Sequence, residues 1–189
     1  FVAALTLAAP SLAQTAATGY PSKPIRFIVP YAPGGSTSYV ARLVGAKLTE
    51  AWGQQVLIDN KPGANTVIGT EALARSAPDG YTISLAASTH VTVPHLVSSL
   101  PFDALRDFTP VASLVTTQLV LVVHPSVPAS NLTEFIALAK ARPNELNFAA
   151  VGTGSSTHLA GEYFKSVAGV RMQHVPYKGT APALTDLIG

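Results

Sequence analysis

The chain has no cysteine and only one methionine and one tryptophan among its 189 residues. Without thiols there is no disulfide framework, no thiol nucleophile and no Cys-based zinc site, so the fold must rest on its apolar core. Charge is scarce as well, with Asp, Glu, Lys and Arg together making up 12% of the residues. Twelve basic residues against ten acidic ones give a net charge of +2. The basic residues are scattered from Lys23 to Lys178 without a cluster, which removes the footprint of a nucleic-acid binder. No apolar run approaches the roughly 20 residues that cross a bilayer, so the mature chain is expected not to span a membrane. His90, His95, His124, His158 and His174 show neither an H-E-x-x-H nor a Cys/His spacing, and no metal or cofactor is expected.

The scarcity of charge is sharpest in three places. No Asp, Glu, Lys or Arg occurs in Phe27 to Val40, in Tyr81 to Phe102 or in Leu146 to Gly161. Each window overlaps one of three stretches of one design: a short β-rich run leading into small and hydroxyl residues. They are Ile25 to Ser38, Gly80 to Thr89 and Leu146 to His158. After the first and third an amphipathic helix follows, so helix N-terminal N–H groups would converge on the carboxyl ends of parallel strands, where α/β proteins bind ligands. That layout suits a small anion held by neutral dipoles and hydroxyls, for capture and release rather than chemistry.

The first thirteen residues, Phe1 to Ala13, are apolar, too short to span a bilayer, and end in a small-x-small cleavage signal, Ser11-Leu-Ala13. Residues 1–19 are therefore expected to be a signal-peptide remnant and linker, so the mature chain is expected to be exported. The rest reads as β-α alternation, an open parallel-rich sheet in each of two units, 20–123 and 124–189. Strands are expected at Ile25 to Val29, Val56 to Ile58, Tyr81 to Leu85, Val111 to Val115, Leu119 to Val123, Leu146 to Val151 and Met172 to Val175. Helices follow Ser36 or Ser38 as cap, run through Ile68 to Ala74, fill Leu132 to Ala141 behind an Asn131/Glu134 capping box, fill Leu159 to Val167, and begin again at Ala181. Gly53 and Gly169 stand where C-terminal glycines belong. Gly189 falls in or just after a helix, before any strand that would complete the second sheet, so the second unit is expected to be incomplete in this chain.

Each candidate group has a bland reading beside the functional one. Gly34-Gly35 is either a tight turn or a backbone able to approach a ligand; it is neither a Walker loop nor G-x-G-x-x-G. Gly152 to Thr157 is either a flexible loop with a capped helix or a row of hydroxyls and N–H groups facing a carboxylate or phosphate. Ser155 or Ser156 with a histidine is the pattern of a secreted serine hydrolase, but the G-x-S-x-G elbow is absent and His158 is too near in sequence to complete a triad. His158 itself is a ligand contact or a packing residue. Tyr31 and Tyr177 wall a pocket or pack, and Arg42 is expected in solvent.

Taken in order, Pro30-Tyr-Ala-Pro-Gly-Gly-Ser36, Arg42, Trp52-Gly53, Asn60-Lys-Pro-Gly-Ala64, Ile68-Gly-Thr70, Ala77-Pro-Asp-Gly-Tyr81, Asp107-Phe-Thr-Pro-Val111, Gly154-Ser-Ser-Thr-His-Leu-Ala-Gly-Glu162 and Val175-Pro-Tyr-Lys-Gly179 resemble the Bug family. These are the periplasmic substrate-binding receptors of tripartite tricarboxylate transporters. The resemblance implies two α/β domains closing on a small carboxylate like a flytrap, a membrane transporter as partner, no catalysis, and a chain that continues into a return crossover. Carried over by position, it places the first-domain clamp at Tyr31, Gly34, Gly35, Ser36 and Ser38 with Ser88 and Thr89, and the second at Thr153, Ser155, Ser156 and His158 with Tyr177 and Gly179. Ser38 stands where many relatives carry an acidic residue, which weakens the case for a ligand amino group. The loop Gly63 to Gly69 lacks glycines common in the family. A sensor or adaptor signalling to a membrane partner would need the same cleft.

Overall fold

The computed structural model describes residues 19–189, so the expected signal-peptide remnant lies, but for Gly19, outside the described residues. Two parallel sheets organise the chain. The first is three-stranded in the order β2-β1-β3, with β1 at Ile25–Val29, β2 at Val56–Asn60 and β3 at Thr82–Ser84. Ile25, Ile28 and Val29 are wholly buried in the central strand β1, and Phe27 nearly so. A parallel strand covered on both faces reads as a near-continuous apolar run rather than an alternating one, and Ile-Arg-Phe-Ile-Val is such a run. The exception, Arg26, is half-buried and paired with Asp59 of β2 at 2.6 Å.

Helix α1, Ser36–Trp52, packs on this sheet through Ala41 and Gly45. A side chain on Gly45 would lie 3.0 Å from Ile58 Cδ1, so the glycine sets the close approach of helix to β2. The helix ends as expected at Gly53, left-handed at φ 65, with its N–H on the Thr49 carbonyl. Helix α2, Val67–Ala74, follows a 3₁₀ turn at Ala64–Thr66, and the short helix α3, Thr89–Thr92, follows β3.

The second sheet pairs β4, Asn147–Val151, with β5, Gln173–Tyr177. Its core is Phe135 and Ala139 of helix α4, Leu132–Ala141, with Val170 and Met172. Helix α5, Ser156–Ala168, joins the two strands and closes at left-handed Gly169; helix α6, Thr180–Ile188, follows β5. The N-cap half of the capping box is formed, Asn131 Oδ1 accepting from the Glu134 N–H at 3.0 Å, while Glu134 Oε2 reaches one residue further back and accepts from the Ser130 N–H at 2.7 Å.

The expected strands Val111 to Val115 and Leu119 to Val123 do not form. The stretch has no regular secondary structure and is exposed along its length, with Val111 at 89% and Val120 at 81%. Their valines and leucines have the right propensity, but a strand needs a neighbour, and no described element pairs with this segment. Among the described residues no helix is long and apolar enough to cross a membrane.

Candidate functional site

Because every pairing is parallel, the loops that follow the strands gather at one edge of each sheet. Those two edges face one another and touch. The Ala32 N–H donates to the Lys178 carbonyl at 3.1 Å, Thr92 Oγ1 donates to the Gly154 carbonyl at 2.7 Å, and the Ser156 N–H donates to Ser88 Oγ at 3.2 Å. Asn65 Nδ2 donates to the Thr153 carbonyl. Between them lies a cavity of about 260 Å³ lined from the first sheet by Pro30, Tyr31 and residues 63–66, and from the second by residues 151–153 and 176–178.

On the first side, Tyr31 is 7% exposed and its hydroxyl is hydrogen-bonded to that of Thr89, itself buried. Burial raises the Tyr31 phenol above its ordinary range, and the bond to Thr89 works in the opposite direction. Gly34 is left-handed at φ 84, and a side chain there would meet Ala181 Cβ at 3.3 Å. Gly35 caps α1 in extended conformation, and a side chain on it would lie 3.4 Å from the Thr180 nitrogen. On the opposite wall Gly179 precedes α6, and a side chain there would sit 3.1 Å from Ala32 Cβ. These glycines let two helix N-termini meet head to head.

Several sequence candidates are engaged by partners within the protein. The expected cap at Ser36 or Ser38 is replaced by Gly35, which has no side chain to offer. Ser36 is exposed in the first turn, whereas Ser38 is 1% exposed and turned inward, within 3.3 Å of Asn60 Nδ2. Asn60 in turn donates to the Tyr31 carbonyl at 3.0 Å, so Ser38 braces the loop from behind. Ser155 Oγ caps α5 by accepting from the His158 N–H at 3.1 Å and donates to the Gly152 carbonyl at 3.0 Å. His158 Nδ1 accepts from the Gly154 N–H at 3.1 Å, and its ring lies 4.1 Å from that of His174, against Phe148. No hydrogen bond links Ser155 or Ser156 to the His158 ring. Tyr177 lines the cavity with its hydroxyl donated to Asp186 at 2.8 Å, and Thr153 lines it too, its carbonyl accepting from Asn65 Nδ2.

The sequence reading noted the loop Gly63 to Gly69 as a departure from the family but named none of residues 64–66 as a site residue. Ala64, Asn65 and Thr66 have φ of 43, 53 and 76, a left-handed run that puts the Asn65 side chain into the cleft. Asparagine tolerates that region better than most residues, and its place after Pro62-Gly63 was the available signal.

Residues 40–189 match the family model described as tripartite tricarboxylate transporter family receptor. The chain belongs to this family. Protein BugT of Bordetella pertussis (strain Tohama I) is 42% identical to this receptor chain over 191 residues, covering 100% of it and 57% of BugT. An R. palustris protein solved with adipate superposes with a TM-score of 0.86 at 36% identity, over 89% of this chain and 56% of that one. MatC from Rhodopseudomonas palustris with bound malate gives 0.81 at 33% identity, over 88% and 57%. The α/β architecture is thus that of solved periplasmic binding proteins. The receptor chain spans about half the length of the curated relatives it matches.

Within the receptor chain the helices divide by their caps. Helices α4 and α5 have their N–H groups met by Asn131 and Ser155, whereas α1, α2 and α6 have no side-chain cap. The uncapped ends begin at Gly35, Thr66 and Gly179, beside the cleft. Free N–H groups at such ends carry partial positive charge.

Proposed function

We propose that this receptor, with units 20–123 and 124–189 as the two sides of a flytrap, captures a small carboxylate and presents it in the periplasm to the membrane subunits of a tripartite tricarboxylate-type transporter, without transforming it. One observation carries the reading: the cavity lining holds a single cation, Lys178, and no carboxylate side chain, while uncapped helix ends flank it. Such a site attracts an anion and has little with which to attack it. The commitment of Ser155 to its cap supports a binding role over hydrolysis. The ligands printed for two relatives, adipate and malate, make dicarboxylates the first probes.

The test is titration calorimetry of the refolded full-length protein with malate, adipate and citrate, and with their amides as neutral controls. A carboxylate should bind and its amide should not. At 100 times its dissociation constant the ligand should add about 2.7 kcal/mol to folding stability. Absence of heat and of thermal shift with every carboxylate would remove the reading.

A further inference from the structure

Asn65 is out of place by backbone criteria. It stands in the middle of three consecutive non-glycine residues at positive φ, a sparsely populated conformation that persists only where surroundings hold it. What holds it lies on the opposite sheet. Its Nδ2 donates to the Thr153 carbonyl, and its Oδ1 rests over Gly152, where any side chain would overlap the carboxamide. Gly152 is itself left-handed at φ 68. One carboxamide is thus fitted against two successive residues of the β4–α5 loop. Its second N–H has no acceptor among the described residues, and the group lines the cavity with Tyr31, Thr66, Tyr177 and Lys178.

We propose that Asn65 is a positioning and specificity residue of the cleft: a latch that holds the Gly152–Thr153 loop across it and offers its second N–H to a ligand carboxylate oxygen. The inference rests on the carboxylate-receptor reading and adds a residue to it. An amide is suited to the task because it donates twice and is neutral. An aspartate there would set an oxygen against both the Thr153 carbonyl and an incoming anion. A latch of this kind acts after encounter, so it belongs in the dissociation rate.

The experiment uses the full-length protein with Asn65→Gly and Asn65→Asp, and malate and adipate as probes. Glycine removes the carboxamide and relieves the left-handed backbone, so Asn65→Gly should be at least as heat-stable as the parent. It should nonetheless release the bound probe about tenfold faster, with an association rate changed less than about threefold. Asn65→Asp should release it faster still. A second readout needs no ligand. The sequence has no cysteine, so Ala46→Cys on α1 and Val167→Cys on α5, both exposed, accept a unique spin-label pair. In ligand-free protein Asn65→Gly should move the label distances to longer values. Parental dissociation rates in Asn65→Gly, or unchanged label distances, would overturn the latch. If the parent binds no carboxylate, the receptor reading fails, and the labels still decide whether Asn65 holds the cleft shut.

Discussion

The hydrogen bond between Tyr31 and Thr89 is the most exacting test of how the cleft wall is built. Both residues are almost fully buried, at 7% and 2% exposure, and Tyr31 is the one partner found for Thr89 Oγ1. Tyr31→Phe keeps the ring in its cluster with Phe27, Val29 and Ala41 but leaves the Thr89 hydroxyl without a partner. An orphaned buried hydroxyl costs about 1–3 kcal/mol, more than the net worth of the bond itself. Thr89→Val should cost a similar amount by orphaning the Tyr31 hydroxyl. The double substitution replaces both polar groups with apolar ones of like shape, so its cost should fall well below the sum, with a coupling of at least about 1 kcal/mol. Urea unfolding of the four proteins, with slopes compared to confirm a common reference state, measures this. Additivity within about 0.5 kcal/mol would mean the two hydroxyls do not depend on one another, and the account of the wall would be wrong.

Two further outcomes follow from the second unit. Ser155→Ala should lower stability by about 1 kcal/mol, as loss of a helix cap does, and Ser155→Gly by less; differential scanning calorimetry reads this, and a loss of ligand affinity without a loss of stability would show that Ser155 faces the ligand instead. The second concerns His174, whose Nε2 is buried without a partner. Its pKa is lowered by burial first and by neighbouring His158 next, with Lys165 acting the same way and Glu162 against it. The folded state therefore takes up this proton later than the unfolded chain, whose histidine titrates near 6.5. The contribution is fully present above that pH and is lost as pH falls below it, at no more than about 1.4 kcal/mol per unit. Urea midpoints from pH 7.5 to 5.5 should decline, and in His174→Phe the decline should flatten; an unchanged parent midpoint would refute the sign.

What the sequence made legible is what local chemistry decides. Ile25 to Val29 reads as a buried strand because apolar character runs without alternation, and Gly53, Gly169 and Asn131 mark helix ends through conformations and hydrogen bonds within a few residues. What was not legible has the opposite property. Val111 to Val123 has strand composition, but pairing is decided by what lies beside it. The direction of Ser38 depends on Asn60, on β2, and that of the His158 ring in part on His174, on β5, whereas Ser155 is held by partners three residues away, its capping of the His158 N–H being a bond within reach of a sequence reading. Asn65 was not singled out because its partner, the Thr153 carbonyl, lies 88 positions away.

If the protein works by the proposed capture and release, the strength of the contacts across the cleft sets the terms of both. Four hydrogen bonds join the two sides, and no salt bridge among the described residues does. Each neutral bond contributes about 0.5–1.5 kcal/mol net, because water replaces it on opening. Around them are small-residue contacts, Gly34 with Ala181 and Gly179 with Ala32, and modest apolar cover from Val151. The closed arrangement therefore gains only a few kcal/mol from its own contacts, against the greater freedom of the open one. Driving such an equilibrium from 1:99 to 99:1 takes about 5.5 kcal/mol of differential binding. On the proposed reading, two or three charge-assisted bonds from a carboxylate, at about 1.5–3 kcal/mol each, cover that range. A charged bridge spanning the cleft would hold it shut without ligand and leave the anion less to decide. Under the proposed function the neutrality of the loops serves both ends of the cycle: it admits an anion, and it leaves closure weak enough for the anion to control.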